Sequence, residues 1–551
     1  FDGDLSVYLQ PITSIHLYSN LRNDNPGNVS IKYIYIFTVI GIMVLFIACI
    51  NYISLSTARS ATRAREVGMR KVLGALKDQI VKQFISESVF NGILAFIFGL
   101  ILVYAAFPYF KNLSGSGLSM DLFKDPLLLG EMLAVLLFVC FTAGWYPAFV
   151  LSGFTPLNTL KGVFLKGKWN LTFRNLLVKI QMTISILLII LTFGFFKQIQ
   201  YIKGKDLGYK SERLLSIKIF NDHSDDAGRL SWAETIKSEL VSLNGVESAS
   251  ICSHVPGTRF YKAQFFPEQM PENQSLEMEI YKIDDDYFNT IGMGIVEGRG
   301  FSREFTSDAG DAAIINETAA KQLGWKNPVG KIIVREFGNN QKVDYHIIGV
   351  AKDFHSRSLH HKIDPLIFTK LGDFHLLTLR INSENINGTL SLIQEKWKKF
   401  EPEHPCEYFF LDDVLNVLYK TEVQMSKVIQ VFTFLSLFIS CLGLFSLVSF
   451  MTEKRTKEIG IRKALGATGA NIAGLLTKEL TYQILLANLI SWPAAFYMLK
   501  YWLRNFAYKT DIGWEIFILS GITAFLITIF TISFQVLKAA RSNPVDALKY
   551  E

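Results

Sequence analysis

The chain has 551 residues, half of them hydrophobic and 19% of them charged, and its formal net charge is +7. Together with a mean hydropathy of +0.26, this low share of charge argues against an ordinary soluble protein and favours a membrane protein. The basic residues are concentrated beside apolar stretches, so the positive charge does not call for a nucleic-acid partner.

Residues 1–30 are polar and mixed, and the chain starts at Phe1 without a signal-like segment. We interpret them as the remnant of a first extracytoplasmic domain and expect the chain to be truncated at its N-terminus.

Seven apolar stretches follow, each long enough to cross the roughly 30 Å hydrocarbon core of a bilayer as a helix. The predicted spans are about 33–58, 88–110, 132–151, 176–197, 428–452, 476–499 and 516–537.

Three of the segments that connect these spans are rich in Lys and Arg, namely 59–87, 161–179 and 453–479. The positive-inside rule places them in the cytoplasm. The segments expected outside are 1–30, 111–131, 198–426 and 500–515.

One basic phrase occurs twice: residues 66–75 read EVGMRKVLGA and residues 458–467 read EIGIRKALGA. Self-similarity at a long period decides the fold prediction, and the same order in both halves predicts a tandem parallel repeat. Each repeat should consist of one span, a large outside domain and three further spans. The first repeat has lost its first span and nearly all of its outside domain.

The predicted domain division follows from this repeat. It consists of the remnant 1–30, a first three-span domain at 31–160, a cytoplasmic linker at 161–175, a span at 176–197 that opens the second repeat, an extracytoplasmic domain at 198–426 and a second three-span domain at 427–551.

The outside segment 198–426 reads as α+β. Strand-like runs at 214–219, 345–350 and 376–381 alternate with helical patterns at 229–243 and 387–401. The predicted fold class is therefore a multi-span α-helical membrane protein with a large extracytoplasmic α+β domain.

Two cysteines, Cys252 and Cys406, fall in this outside segment. They could pair in an oxidising compartment, and two separate free thiols are an equal alternative.

The repeated phrase has a helical apolar face. Met69, Val72, Leu73 and Leu76 recur at i, i+3, i+4 and i+7, and the second copy carries Ile461, Ala464, Leu465 and Thr468 at the same spacing. One reading is a basic amphipathic helix that rests on anionic headgroups. The other is a cytoplasmic docking helix, which duplication favours because two equivalent sites suit a two-fold partner.

Two acids, Glu87 and Glu479, lie at equivalent cytoplasmic mouths of spans. Such groups need a partner or water, so pairing with the preceding basic helix or a place in the headgroup zone is expected. A proton relay is a poor third choice, because no chain of acids continues across the spans.

Two patterns in the outside segment look functional but are weak. Residues 324–331 resemble a phosphate loop, yet five residues instead of four separate the glycines and Ile332 follows the lysine. His355, His360 and His361 lack the partners of a zinc motif, so a surface loop is the default. We predict no catalytic residues, no cofactor site and no metal site.

The two phrases, the ending NPVDAL at 543–548 and the outside motifs NETAA at 316–320, NPVGK at 327–331 and IGVAKDFH at 348–355 resemble the permease subunits of MacB/FtsX-type ABC transporters. The resemblance covers nearly the whole chain and is to the double-domain form: 31–160 and 427–551 would be FtsX-like three-span domains, and 198–426 a MacB-like periplasmic core domain.

The resemblance implies a multi-pass protein of the bacterial inner membrane that is not itself an enzyme. A separate ATPase dimer would bind ATP and Mg²⁺ and dock beneath the spans. Its motion would be transmitted to the outside domains. The implied docking residues are Glu66, Gly68, Met69, Arg70, Lys71, Leu73, Gly74, Glu458, Gly460, Ile461, Arg462, Lys463, Leu465 and Gly466.

The resemblance implies export of a peptide, drug or lipoprotein, with an adjacent membrane-fusion or other envelope protein as a further partner. The alternatives are a non-transporting regulator of an envelope partner such as a cell-wall hydrolase, and a membrane-anchored enzyme, for which no catalytic set is found.

Overall fold

The computed structural model describes residues 11–12, 31–114, 125–152, 168–220, 226–258, 261–268, 275–305, 308, 310–337, 341–370, 372–382, 384–454 and 456–541. These residues divide into two compact units. The sheet unit contains Gln200–Thr421 and Arg504–Lys509, and the helical unit contains Ile31–Ile199, Glu422–Leu503 and the residues from Thr510 onward.

Long apolar helices form the helical unit. They are α1 (Ile31–Val72), α2 (Lys77–Ser114), α3 (Pro126–Ser152) and α4 (Lys168–Gly204) in the first part of the chain. After the sheet unit come α10 (Lys420–Lys454), the short α11 (Thr456–Ala464), α12 (Gly469–Leu503) and α13 (Trp514–Arg541).

Five stretches in the described helices are long and apolar enough to cross a membrane. They are Ile34–Ser56, Lys77–Lys111, Asn175–Gly204, Lys420–Phe450 and Trp514–Gln535. They coincide with five of the seven predicted spans.

The other two predicted spans also lie in helices. The span at 132–151 falls in α3, whose described apolar stretch is the shorter Pro126–Thr142. The span at 476–499 falls in α12, where Gln483 and Asn488 dilute the apolar sequence. Both remain predictions.

A row of small polar side chains joins α4 to α10. The hydroxyl groups of Thr192 and Thr433 lie 2.8 Å apart, as do those of Ser185 and Ser440. Gln181 adds a 3.2 Å hydrogen bond to the carbonyl of Ser440. In an apolar surrounding such hydrogen bonds hold helices together where hydrophobicity alone cannot distinguish helix from lipid.

The sheet unit contains eleven strands in its described residues. The first six are β1 (Leu214–Lys218), β2 (Val246–Cys252), β3 (Tyr261–Pro267), β4 (Leu276–Ile283), β5 (Ile295–Gly298) and β6 (Ala312–Asn316). The others are β7 (Ile332–Phe337), β8 (Gln341–Ala351), β9 (Leu366–Lys370), β10 (Leu376–Ile381) and β11 (Tyr408–Phe410).

The helices of this unit are short apart from two. They are α5 (Asp226–Val241), α6 (Tyr287–Ile291), α7 (Glu317–Gln322), α8 (Ile386–Phe400) and α9 (Leu411–Leu418). The predicted strands at 214–219, 345–350 and 376–381 and the predicted helices at 229–243 and 387–401 are confirmed to within a few residues. The α+β prediction for this unit is therefore correct.

Six of the strands close into a ring, β4-β3-β7-β8-β6-β9, because β9 pairs in parallel with β4. The inside of this ring is a dry core, in which Phe265, Ile280, Ile333 and Ile367 are at most 2% exposed. Closure leaves no unpaired edge along the ring.

The remaining strands β11-β1-β10-β2 form a four-stranded antiparallel sheet. Helices α5 and α8 cover one face of it, where Ile236, Ile393 and Trp397 are buried against strand residues. The sheet joins the ring through a single pair, Cys252 of β2 with Ile283 of β4.

Candidate docking helices and the predicted motifs

The two copies of the repeated phrase end their helices in the same way. Gly74 and Gly466 have left-handed backbones, with φ of +96° and +91°. The amide of the next residue returns to the helix in both copies, from Ala75 to the carbonyl of Arg70 and from Ala467 to that of Arg462, each at 2.9 Å. This is the Schellman termination, which glycine allows without steric cost.

Apolar side chains next to these ends face outward. Leu73 is 86% exposed and Leu465 is 81% exposed, with Met69 and Ile461 about half exposed one turn earlier. Val67 and Ile459, in contrast, are buried in both copies. Each helix end is thus anchored on one side and presents large apolar groups on the other, a pattern typical of an interaction surface.

The charged residues of the phrase form matched pairs. Glu66 bonds Arg70, and Glu458 bonds Arg462, each at 2.8 Å and each between partly exposed side chains. Arg70 also donates to Gln83 in α2. These i, i+4 pairs support the local helix by a few tenths of a kcal/mol, and they hold the two arginines along the helix surface.

The other predicted docking residues are less informative. Lys71 is half-buried, and this burial, together with the charge of Lys77, lowers its pKa. Gly460 is buried. The surroundings of Gly68 and the side chain of Lys463 fall outside the described residues.

The two acids at the span mouths accept hydrogen bonds from side-chain amides. Gln83 donates to Glu87 at 3.3 Å, and Asn175 donates to Glu479 at 3.1 Å. The residue types differ between the two copies, but each acid has an uncharged donor from the helical unit.

The segment 353–361 is only partly the surface loop that we expected. His355 is buried, and its ring stands edge-on to Tyr508 at 4.6 Å, while His360 stacks on Phe506 at 4.1 Å. Apolar packing against residues 504–509 explains the burial, and sequence reasoning missed these aromatic partners because they lie some 150 residues away. Among the described residues, no group of three or more potential ligands could hold a metal.

The sequence resembling a phosphate loop is a turn that enters a strand, as predicted. Gly324 and Gly330 have positive φ, and β7 begins at Ile332. Cys252 and Cys406 are free thiols in separate core clusters. Burial raises the pKa of Cys252 to about 12.

The outside motifs NETAA and AKDFH meet in one hydrogen-bonded cluster. Asp353 accepts from the side-chain amide of Asn316 at 2.8 Å and from the hydroxyl of Thr318 at 2.7 Å. In return, Glu317 accepts from the backbone amide of Asp353 at 2.9 Å. These residues cap α7 and tie it to the end of β8, which is a structural role.

Two family models match the chain. The model of the FtsX-like permease C-terminal region matches twice, at residues 38–156 and 430–544. The model of the MacB-like periplasmic core domain matches residues 180–396.

Curated relatives match parts of the chain. The macrolide export ATP-binding/permease protein MacB of Aggregatibacter actinomycetemcomitans is 26% identical over 208 residues, covering 35% of this chain and 31% of that protein. The ABC transporter permease YknZ of Bacillus subtilis is 25% identical over 281 residues, covering 49% and 69%. The MacB of Salmonella choleraesuis is 25% identical over 285 residues, covering 49% and 43%. The chain thus spans between about a third and two thirds of these relatives.

Solved structures match over the sheet unit. The periplasmic region of MacB from Actinobacillus actinomycetemcomitans shows 17% identity and a TM-score of 0.27, covering 37% of this chain and 92% of that one. The extracellular domain of YknZ shows 15% identity and a TM-score of 0.25, covering 35% and 97%.

The long apolar helices and the family matches define a multi-pass inner-membrane protein of the ABC transporter permease class, with residues 198–426 in the periplasm. More particularly, the chain belongs to the FtsX-like permease family and carries a MacB-like periplasmic core domain.

Proposed function

We propose that this chain is the membrane subunit of an ATP-driven transporter of the MacB/FtsX type and exports a peptide, drug or lipoprotein. ATP and Mg²⁺ would be bound by a separate ATPase dimer. The chain's own part is to receive the motion of that dimer and to pass it to the periplasmic domain. A membrane-fusion or other envelope protein is the expected further partner.

The observation that carries this proposal is the matched pair of helix ends. A two-fold ATPase offers two equivalent surfaces, and the chain offers two equivalent apolar ends, at Leu73 and Leu465, with the same glycine termination. Lipid binding would not demand such matching of side chains, ion pairs and backbone. The span-length helices beneath a folded periplasmic domain suit a device that transmits movement.

The tandem parallel repeat is part of the same proposal. Helix α2 starts at Lys77 and helix α12 at Gly469, a separation of 392 residues that also divides the starts of the two permease matches at 38 and 430. Both copies would then place a docking end beneath corresponding helices.

The proposal is tested in the full-length protein together with its partner ATPase. Changing Arg70, Lys71, Arg462 and Lys463 to Glu, or Leu73 and Leu465 to Asp, should abolish ATPase co-purification and the stimulation of ATP turnover. Leu392→Asp, on an exposed position of α8 in the periplasmic domain, is the matched control and should change neither.

If both sets of docking variants keep the ATPase and its stimulated turnover, the docking role is wrong. If they lose the ATPase but Leu392→Asp loses it as well, the effect is on folding and the docking assignment fails on specificity.

A further inference from the structure

The six-stranded ring has an open mouth, and a cleft of about 1060 Å³ lies there. One side of the cleft consists of strand residues of the ring, including Tyr261, Lys282 and Arg335. The other side comes from the four-stranded sheet, with Phe220 and Phe409. The mouth of a β-barrel between two packed parts is a usual place for a ligand site, and the volume suits a drug-sized molecule.

The ring residues at the cleft point the same way as the ring's core. Tyr261 precedes the core residue Phe265 by four positions on β3, and Lys282 and Arg335 follow Ile280 and Ile333 by two. Because strand side chains alternate with a period of two, these residues continue the inner face of the ring where the apolar core stops. The core thus gives way at the mouth to an aromatic ring and two cations.

Most of the other charges at the cleft are neutralised. Lys218 pairs with Glu407 at 2.8 Å and Lys370 pairs with Asp285. Asp373 is the one acid in the described lining, and it lies within 4 Å of the cationic groups of Arg229 and His375.

Lys282 and Arg335 differ from these, since within the described part of the chain neither forms an ion pair with a carboxylate. The guanidinium of Arg335 lies over the ring of Phe337 at 4.3 Å and near that of Tyr261 at 5.7 Å. Burial lowers the pKa of the neighbouring His254, whose Nε2 is 2.9 Å from the carbonyl of Ile280. The net charge facing the cleft is therefore positive and comes from the lysine and the arginine.

From this juxtaposition we propose that the mouth of the ring binds a small anionic ligand with a planar apolar body. The sulfonate, carboxylate or phosphate group of the ligand would lie between Lys282 and Arg335. Its flat body would pack on Tyr261 and Phe337, whose side chains are 59% and 38% exposed. Arg prefers such a combination of stacking and bidentate anion contact.

This inference deepens the proposed export function by naming a ligand class. It rests on that function for the ligand's role as cargo, but the binding itself requires no ATPase. A binding assay without the ATPase therefore separates failure of the site from failure of the docking proposal.

The experiment is calorimetric titration of the full-length protein in lipid nanodiscs with naphthalene sulfonate, using empty nanodiscs as the blank. Saturable binding is expected, and it should weaken with added salt. Naphthyl methylammonium, which has the same body and the opposite charge, should bind at least about tenfold more weakly, because a hydrogen-bonded charge pair contributes about one to two decades of affinity.

Variants locate the site. Lys282→Gln and Arg335→Gln should each weaken binding about tenfold or more, whereas Lys399→Ala, which removes a lysine of α8 outside the cleft, should not. The proposal is overturned if the wild-type protein shows no saturable binding, if the cation binds as well as the anion, or if Lys399→Ala weakens binding as much as Lys282→Gln. The comparison of the two probes uses only wild-type protein, so misfolding of a variant cannot rescue the proposal.

Discussion

The side-chain amide of Asn51, in α1, donates a 2.5 Å hydrogen bond to the backbone carbonyl of Ile439, in α10. One turn further along α10, Gly443 lies so close to Asn51 that a Cβ atom there would overlap the amide group. A polar side chain on one helix and a glycine on the other thus bring together helices that are almost 400 residues apart in the chain, in the small-residue manner of membrane helices.

This contact predicts that Gly443→Ala destabilises the protein and that Asn51→Ala in the same chain relieves most of the loss. The added methyl group would collide with Asn51, and the shorter side chain would make room for it. Thermal unfolding of the detergent-solubilised protein measures both changes. Gly99→Ala, in α2, is the control, because nothing lies within 4 Å of its added carbon. Equal losses in the single and double variants would contradict the packing account.

A second prediction concerns Asp308, whose carboxylate receives two hydrogen bonds from Arg299, at 2.5 and 2.7 Å. The hydrogen bonds from Arg299 hold the pKa of Asp308 below its ordinary value of 3.8. A lowered pKa in the folded state means that the stabilisation is present above pH 3.8 and is lost as the pH falls below it.

Asp308→Asn should therefore lower stability by about 2 kcal/mol at neutral pH, and its deficit should shrink as the pH falls from 5 towards 3. The measurement is the unfolding midpoint of both proteins across that range. Glu336→Gln, which removes a partner from the exposed pair with Lys342, should have little effect at any pH. A deficit that stays constant down to pH 3 would rule out the ion pair as its cause.

The contact of His355 with Tyr508 predicts a response to acid. Burial and the charge of Lys205 lower the pKa of His355 from its ordinary value of 6.5. The folded state therefore favours the neutral imidazole, and stability is lost as the pH falls below 6.5. Hydrogen exchange in residues 504–509, corrected for intrinsic rates, should accelerate between pH 7.5 and pH 5.

His355→Phe keeps an aromatic ring against Tyr508 without a titratable group, so this variant should remove the pH response. His346→Phe changes an exposed histidine of β8 and should leave the response intact. If the wild-type segment exchanges equally at both pH values, His355 does not control it.

Several parts of the fold could be predicted because their signals are local. An apolar run long enough to span a bilayer predicts a helix without reference to the rest of the chain, and α1, α4, α10 and α13 follow from such runs. The termination at Gly74 and Gly466 likewise follows from a phrase of ten residues.

The closure of the ring could not be predicted, because it depends on the parallel pairing of β4 with β9, far apart in sequence. The cleft has the same origin. Lys282 and Arg335 lie on different strands and become neighbours of one cavity only through the register of β3 with β4 and β7. A lysine or arginine within an alternating strand gave no sign of this in the sequence.

The most direct test of the docking account is photo-crosslinking. A benzoyl-phenylalanine placed at position 73, and separately at position 465, in the full-length protein should form covalent adducts with the ATPase subunit in membranes. The same residue at position 392 should not. Adducts from both 73 and 465 are the predicted result, and absence of an ATPase adduct from both positions would contradict the account.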